Sequence, residues 1–272
     1  MTATLSAPAA TPAAPAPRVR RRWAAARLVS PVVLLVLWQV LSSTGVVSPK
    51  RLASPAAVVA AAGELWANGQ LPAALVISVQ RVAIGVALGL AAGIALGLIA
   101  GFSRLGELAV DPPLQMLRTV PFLGLVPLFI LWFGIGETPK VLLVALGVTF
   151  PLYLNLFAGI RGIDAKLVEA ARTLGLRGWS LAWHVVLPGA LPQTLVGLRQ
   201  SLGIAWLSLI VAEQINADAG LGYLVMNARE FYRTDIVVLG LVAYALLGLI
   251  TDAIVRALEG RALAWRRTFE PT

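Results

Sequence analysis

Long apolar stretches separated by short polar ones dominate the chain. An α-helix rises about 1.5 Å per residue, so about 20 apolar residues cross the roughly 30 Å hydrocarbon layer of a membrane. Six stretches approach this length, near residues 28–47, 80–101, 113–133, 139–161, 190–212 and 236–256. The pattern predicts an all-α membrane protein with six transmembrane helices.

The segments around the first stretch have their own patterns. Residues 1–24 are rich in Ala, Pro and Arg, a composition that predicts a disordered tail ahead of a membrane domain over 25–268. The first stretch resembles the core of a signal peptide, but no small-x-small cleavage site follows it, so we expect it to be retained. After it, Ser54 as N-cap, Pro55 in the first turn and Gly69 at the end predict a short surface helix.

The second stretch carries a glycine at every fourth position. Residues at this spacing share one face of a helix, where glycines leave a flat strip that another helix can approach closely. We interpret the strip as a packing surface. Its members are Gly85, Gly89, Gly93, Gly97 and Gly101.

The third and fifth stretches contain residues that are unusual in a membrane helix. Pro121 and Pro127 should kink the third, and a break at membrane depth must be covered by protein or line a wet cavity. The fifth has a face of small and hydroxylated residues, which predicts either a packing seam or the wall of a transport path. That face consists of Thr194, Gly197, Ser201, Ala205, Ser208 and Ala212.

Composition supports membrane insertion and suggests an orientation. The chain is 58% hydrophobic and 13% charged, with a net charge of +9 and no cysteine. Basic residues accumulate on the cytoplasmic flanks of membrane helices, so the charge does not require a nucleic-acid partner. The positive-inside rule therefore places both termini in the cytoplasm, because all but six of the 22 Lys and Arg residues then fall on the cytoplasmic side. The six are Lys50, Arg51, Arg81, Lys140, Arg229 and Arg233.

Enzymatic chemistry is not indicated by the sequence. No lysine follows a glycine, so the phosphate-binding loop with Gly-Lys-Ser/Thr is missing and the chain should not bind ATP by that route. The single histidine, His184, has neither cysteines nor a carboxylate cluster near it in sequence, so we predict no metal site. We expect a protein that is not an enzyme and has no cofactor of its own.

The polar segment "EAARTLGLRGWSLAWHVVLP", residues 169–188, lies between the fourth and fifth stretches. Asp164 should cap a helix over 165–174 that Gly175 ends, and Ser180 should cap a second helix that Pro188 stops. The two would form a cytoplasmic helical hairpin within a loop of about 162–189. One side of its first helix is small and apolar, and we expect it to dock on a partner. Those residues are Leu167, Ala170, Ala171 and Leu174.

This segment resembles the cytoplasmic signature of membrane subunits of ABC importers. In that signature Glu-Ala-Ala is followed by Gly four positions after the second Ala and, after nine intervening residues, by Ile-x-Leu-Pro. The only departure is Val185, which stands in place of Ile. The matching residues are Glu169, Ala170, Ala171, Gly175, Leu187 and Pro188.

The resemblance extends over about residues 25–268 and looks closest to aliphatic sulfonate permeases, with taurine and nitrate permeases as near relatives. The closer match lies in "QMLRTVPFLGLVPLFILWFGIGETPK", "EAARTLG", "HVVLPGALP" and "MNAREFYRTDIVVLGLVAYALLG". It implies a type I ABC importer transmembrane domain that lies in a bacterial inner membrane and forms a homodimer. It also implies a separate ATPase dimer, which binds ATP and Mg and docks on residues 165–175. A periplasmic or lipid-anchored protein would deliver the substrate.

The path of the substrate is less clearly marked. Buried arginines in membrane helices suggest a task, and Arg118 and Arg199 are the most embedded candidates for guiding an anion. Both could instead reach the inner headgroups, or pair with a carboxylate to hold the dimer. Thr194, Ser201 and Ser208 are further candidates. An ion-coupled secondary transporter remains a remote alternative, for which Glu213 and Asp252 are the available carboxylates.

Overall fold

The structure is a computed structural model that describes residues 19–46, 48 and 51–264. Within them all regular structure is helical. A π-helical turn over Ala182–Val186 joins α8 to α9. The helices are α1 (Val19–Ser43), α2 (Pro55–Ala67), α3 (Gln70–Phe102), α4 (Arg104–Thr119), α5 (Phe122–Phe133), α6 (Glu137–Arg161), α7 (Ala165–Thr173), α8 (Gly178–Leu181), α9 (Leu187–Asn216), α10 (Leu221–Glu230) and α11 (Thr234–Ala262).

Four helical segments in the described part of the chain are long and apolar enough to cross a membrane. They are α3, α6, α11 and the continuous helix Gly178–Ile215. The bent pair α4 and α5 makes a fifth if it counts as one span, and the apolar part of α1, Val29–Ser43, is shorter. The structure therefore contains four or five of the six predicted spans.

The N-terminal region contains the start of α1, which lies within the predicted tail, and the predicted short helix α2. Residues 1–18 of the predicted disordered tail lie outside the described residues, and α1 begins at Val19. The short helix α2 is confirmed, since Ser54 accepts a hydrogen bond from the Ala57 amide and Gly69 adopts a φ of 78° after the helix end. Its apolar side joins the core through Val58 and Leu65.

The third predicted span is wrong as a single helix, because α4 and α5 meet at an angle of 105°. The chain turns at Val120, whose backbone is extended, and Pro121 follows. Proline disfavours helical backbone in the residue before it and has no N–H to donate, so it favours a break here. Pro127 lies within α5 and does not end it.

The core is built around α3, α6 and α9, with α6 in the middle. All five glycines of the strip are buried in α3, and a Cβ added at any of them would collide with α6. At Gly89, for example, it would lie 2.5 Å from the Ala145 carbonyl oxygen. At Gly89 and Gly93 the nearest atom is a backbone carbonyl oxygen of α6, so the two helices approach too closely there for a larger residue.

Candidate functional site

Helix α7 starts and ends as its sequence predicts. The Asp164 carboxylate accepts a hydrogen bond from the Lys166 amide at 2.9 Å. At the other end Gly175 has a φ of 89°, while the Leu176 amide donates to the Ala171 carbonyl and the Gly175 amide to the Arg172 carbonyl. This pair of bonds is a Schellman motif, which needs left-handed backbone at the glycine.

The second half of the predicted hairpin is different. The prediction that Ser180 caps a helix is wrong, because α8 starts at Gly178, and Pro188 does not stop that helix. Instead the Leu187 amide donates to the Ala182 carbonyl across a π-helical turn, and Pro188 occupies the first turn of α9. A proline without an N–H is tolerated at this position, so the helix runs on directly into the fifth predicted span.

The loop formed by α7 and α8 presents apolar side chains on its surface. Leu174 is 83% exposed and Trp179 is 72% exposed, and the indole ring of Trp179 stacks on that of Trp183 at 6.0 Å. Glu169 and Ala170 are exposed beside them, whereas Ala171 is buried against the protein. The predicted docking face is therefore available apart from Ala171. Large exposed apolar groups of this kind mark interaction surfaces.

A pocket of about 560 Å³ lies between α4, α5, α6 and α9. Most of its lining is apolar and includes Phe122, Leu154 and Ile204. The structure brings two of the predicted path residues to this pocket, Arg118 from α4 and Ser208 from α9. It adds two amides that were not among the predicted site residues, Asn155 and Gln200.

Arg199 does not line this pocket. Its guanidinium pairs with Glu259 at 2.5 Å and lies 3.3 Å from a carboxylate oxygen of Asp252, both on α11. Arg199 therefore pairs with carboxylates, as one alternative expects, but these lie on α11 of the same chain and the pairing does not require a dimer. Asp252 also pairs with Arg256, so it is not an isolated carboxylate.

The small-residue face of α9 packs mainly against α6. The Ser201 hydroxyl donates to the Val148 carbonyl at 2.7 Å, and Thr194 donates to Ala190 within its own helix. Ser208 is buried beside Gly147 and also borders the pocket. Of the two readings that the sequence leaves open, the structure favours a packing seam.

A buried charged cluster lies at the far end of α9 from the α7–α8 loop. Arg81 contacts Glu213 at 2.7 Å and Glu137 at 2.5 Å, and Lys140 is 3.1 Å from Glu137. Glu213 also accepts hydrogen bonds from the Ser78 and Tyr244 hydroxyls and from the amide of Gly222. This pairing could not be predicted from the sequence, because its members are far apart in the chain.

The chain is similar over nearly its whole length to proteins named for aliphatic sulfonate transport. The permease protein SsuC of Escherichia coli (strain K12) is 52% identical over 88% of this chain and 91% of its own. SsuC of Bacillus subtilis (strain 168) is 48% identical over 89% and 88%. The taurine permease protein TauC of Escherichia coli (strain K12) is 34% identical over 91% and 94%. A nitrate import permease of Synechococcus elongatus is 30% identical over 82% and 84%.

The fold is shared with a solved ABC transporter. A crystal structure of an amino acid ABC transporter with histidines matches 73% of this chain and 97% of its own with a TM-score of 0.62, at 20% sequence identity. The sequence model of the binding-protein-dependent transport system inner membrane components matches residues 93–263. That range covers α6, the α7–α8 loop, α9 and the pocket between them. The chain therefore belongs to the family of inner membrane components of binding-protein-dependent transport systems.

Proposed function

We propose that this chain is the membrane-spanning subunit of an ATP-driven importer of aliphatic sulfonates. The observation that carries the proposal is the identity of about half the residues with two proteins named for this transport, over nearly the whole chain. Taurine and nitrate are the alternative substrates, since permeases named for them are more distantly related. The chain holds no cofactor in this proposal, and a partner ATPase binds ATP and Mg.

The experiment that tests the substrate is uptake by a host that lacks its own sulfonate, taurine and nitrate importers. The chain is expressed with its partner ATPase and binding protein, and uptake of labelled hexanesulfonate, taurine and nitrate is compared. We expect hexanesulfonate to accumulate fastest, and only when all three components are present. Uptake without the ATPase would support ion-coupled transport instead, and faster uptake of taurine or nitrate would reassign the substrate.

The α7–α8 loop is the proposed docking site of the ATPase. A chain without a phosphate-binding loop must receive work from another subunit, and the exposed Leu174 and Trp179 give that subunit an apolar surface to bind. The continuous helix from α8 into α9 supports transmission of its movement to the membrane helices. Glu169, Ala170 and Gly175 lie in the same loop, while Leu187 and Pro188 lie at the start of α9.

Replacing Gly175 by valine should uncouple ATP hydrolysis from uptake. A β-branched residue cannot adopt a φ of 89° without strain of roughly 1–2 kcal/mol, so the end of α7 should rearrange and displace Leu174. We expect uptake to fall by about tenfold or more, since 1.4 kcal/mol corresponds to a factor of ten. Membrane levels should stay unchanged, because a Cβ added at Gly175 would meet no other part of the protein within 4 Å. The matched control is Gly63→Val, at an equally open position in α2. Equal uptake by both variants would remove Gly175 from the docking site.

We infer six membrane crossings with both termini in the cytoplasm. The crossings are α1, α3, the α4–α5 pair, α6, α9 and α11, which place the α7–α8 loop in the cytoplasm and α2 and α10 outside. The distribution of Lys and Arg supports this orientation. The outer face then receives a periplasmic or lipid-anchored binding protein. Exposed apolar side chains on and after α5, such as Leu131, Trp132 and Ile135, support a homodimer.

The orientation can be measured directly because the chain has no cysteine. Single cysteines at Leu174, in the α7–α8 loop, and at Phe231, after α10, are both at exposed positions. With the permease expressed without its ATPase, a membrane-impermeant maleimide should label the cysteine at 231 in spheroplasts. The cysteine at 174 should react only after lysis. Labelling of both in intact spheroplasts would place the loop and α10 on the same side.

Arg118 is the proposed contact for the anionic group of the substrate. It is an exposed cation bordering a largely apolar pocket, whereas the charge of Arg199 is balanced by two carboxylates on α11. The proposal for the transport path therefore keeps Arg118 and Ser208. It leaves Arg199, Thr194 and Ser201 as residues that stabilise helix packing.

A further inference from the structure

A chain of three amide side chains borders the pocket that contains Arg118. Gln193 Nε2 donates to Asn155 Oδ1 at 2.7 Å, and Asn155 Nδ2 donates to Gln200 Oε1 at 3.0 Å. Asn155 Nδ2 also donates to the backbone carbonyl of Pro151 at 2.8 Å. Asn155 and Gln200 line the pocket, and Gln193 does not.

The backbone carbonyl of Pro151 determines which amide donates and which accepts in this row of hydrogen bonds. A carbonyl oxygen only accepts, so the amide of Asn155 must turn its nitrogen toward Pro151. The same nitrogen, Asn155 Nδ2, also faces Gln200, so Gln200 must accept this hydrogen bond with its side-chain oxygen Oε1. Gln200 Nε2 is thereby left with two hydrogens to donate, and within the described part of the chain it has no protein acceptor. The network thus orients a donor at the pocket.

The remaining lining restricts what the pocket can bind. Arg118 is its only charged residue, and no carboxylate lines it in the described part of the chain. A sulfonate oxygen could accept from Arg118 and Gln200, while an alkyl tail could contact Phe122 and Leu154. An ammonium group such as that of taurine would find no counter-charge, and nitrate has no apolar tail to bury.

We propose that the pocket selects a monoanion with an uncharged apolar tail, and that Gln200, oriented by Asn155, is a specificity-determining donor to its oxyanion group. The inference rests on the proposed function and deepens it, because it favours alkanesulfonates over taurine and nitrate at the permease itself. Arg118 supplies charge in this arrangement, and Gln200 supplies a directed hydrogen bond.

The test uses the complete importer in proteoliposomes, with the binding protein preloaded with hexanesulfonate or with taurine. A hydrogen bond to a charged group contributes about 1.5–3 kcal/mol, so Gln200→Leu should lower hexanesulfonate uptake at low substrate by about ten- to a hundredfold. Gln200→Glu has the same shape and adds a negative charge, so it should also shift the ratio of uptake toward taurine. Gln70→Leu, at an exposed position at the start of α3 and outside the pocket and its amide network, is the control and should transport at the wild-type rate.

The role of Asn155 is tested by a double-mutant cycle. Asn155→Leu should reduce uptake less than Gln200→Leu, and adding it to Gln200→Leu should cause no further loss, because Asn155 acts through Gln200. Additive losses would overturn the orienting role. If Gln200→Leu does not assemble, the isosteric Gln200→Glu decides the question by its substrate ratio.

Two results separate failure of this inference from failure of the proposed function. Wild-type uptake of hexanesulfonate together with unchanged uptake and substrate ratio in the Gln200 variants would overturn the inference alone. A wild-type importer that carries no sulfonate would overturn the proposed function as well.

Discussion

Replacing Arg81 by methionine is expected to destabilise the folded protein by about 3–5 kcal/mol. Arg81 and Glu213 are 3% and 1% exposed, and the guanidinium also donates to the Ala219 carbonyl at 2.6 Å. Without Arg81, the carboxylate of Glu213 stays buried with its hydroxyl and amide donors but without its counter-charge. Breaking a buried pair on one side is costly for this reason.

The measurement is the thermal unfolding of detergent-extracted protein, with size-exclusion chromatography used to monitor the protein that remains folded. The double variant Arg81→Met with Glu213→Gln removes both charges and should recover part of the loss. Arg233→Met is the matched control, because Arg233 also contacts two carboxylates but its side chain is 43% exposed. Exposed pairs contribute about 0–1 kcal/mol, so we expect little change there. Equal shifts for Arg81→Met and Arg233→Met would contradict this account of the cluster.

The cluster also limits how α9 can move. It joins α3, α6, α9, α10 and α11 near one end of the bundle, through side chains such as Ser78, Lys140 and Tyr244. At its other end α9 is continuous with α8. A displacement of the α7–α8 loop would therefore act on a helix that is held at the opposite end. In the proposed importer this favours a pivoting movement of α9 over a sliding one.

Much of the local structure was predictable because short-range chemistry decides it. Ser54, Asp164 and Gly175 cap or end their helices through hydrogen bonds to residues within a few positions. The four-residue spacing of the glycines identified a packing strip for a similar reason, since helix geometry alone places them on one face. These features required no knowledge of which helix lies opposite.

The features that were not predictable depend on distant parts of the chain. At Pro121 the chain bends by 105°, whereas at Pro188 a π-helical turn keeps the helix continuous. The presence of proline alone does not specify which of the two occurs. The hydrophobic pattern starts the second span near residue 80 and so leaves Arg81 at the outer edge of that span, whereas α3 starts at Gln70. That difference of ten residues places Arg81 inside the helix and next to Glu213, 132 positions away.

The candidate site also contains some residues that local sequence predicts and others that depend on distant parts of the chain. The loop residues from Glu169 to Gly175 could be proposed as a docking site from their spacing, because the signature is local. The pocket required four helices to come together, so its amides Asn155 and Gln200 could not be recognised from the sequence. The prediction that Arg199 guides an anion could not be judged from the sequence for a related reason. Its carboxylate partners Asp252 and Glu259 lie on the last helix, more than fifty residues later.

The glycine strip leads to a prediction in which one substitution has opposite effects at two positions. Alanine is favoured over glycine in a helix by about 1 kcal/mol, so Gly203→Ala in α9, where nothing lies within 4 Å, should be neutral or stabilising. At Gly89 the added methyl group would lie 2.5 Å from the Ala145 carbonyl oxygen and 2.6 Å from Val148 Cβ. Separating α3 from α6 to admit it should cost about 1–3 kcal/mol.

The same thermal unfolding measurement distinguishes the two positions. Gly89→Ala should unfold at a lower temperature than the wild type, and Gly203→Ala at the same or a higher temperature. Gly89→Leu should reduce the yield of monodisperse protein further, because no rotamer of leucine avoids a backbone carbonyl that already conflicts with its Cβ. The Thr149 hydroxyl lies 3.3 Å from the Gly89 carbonyl oxygen, and this contact between the helices should be lost in both Gly89 variants. Shifts of the same sign for the two alanine variants would show that α3 does not pack on α6 through its glycines.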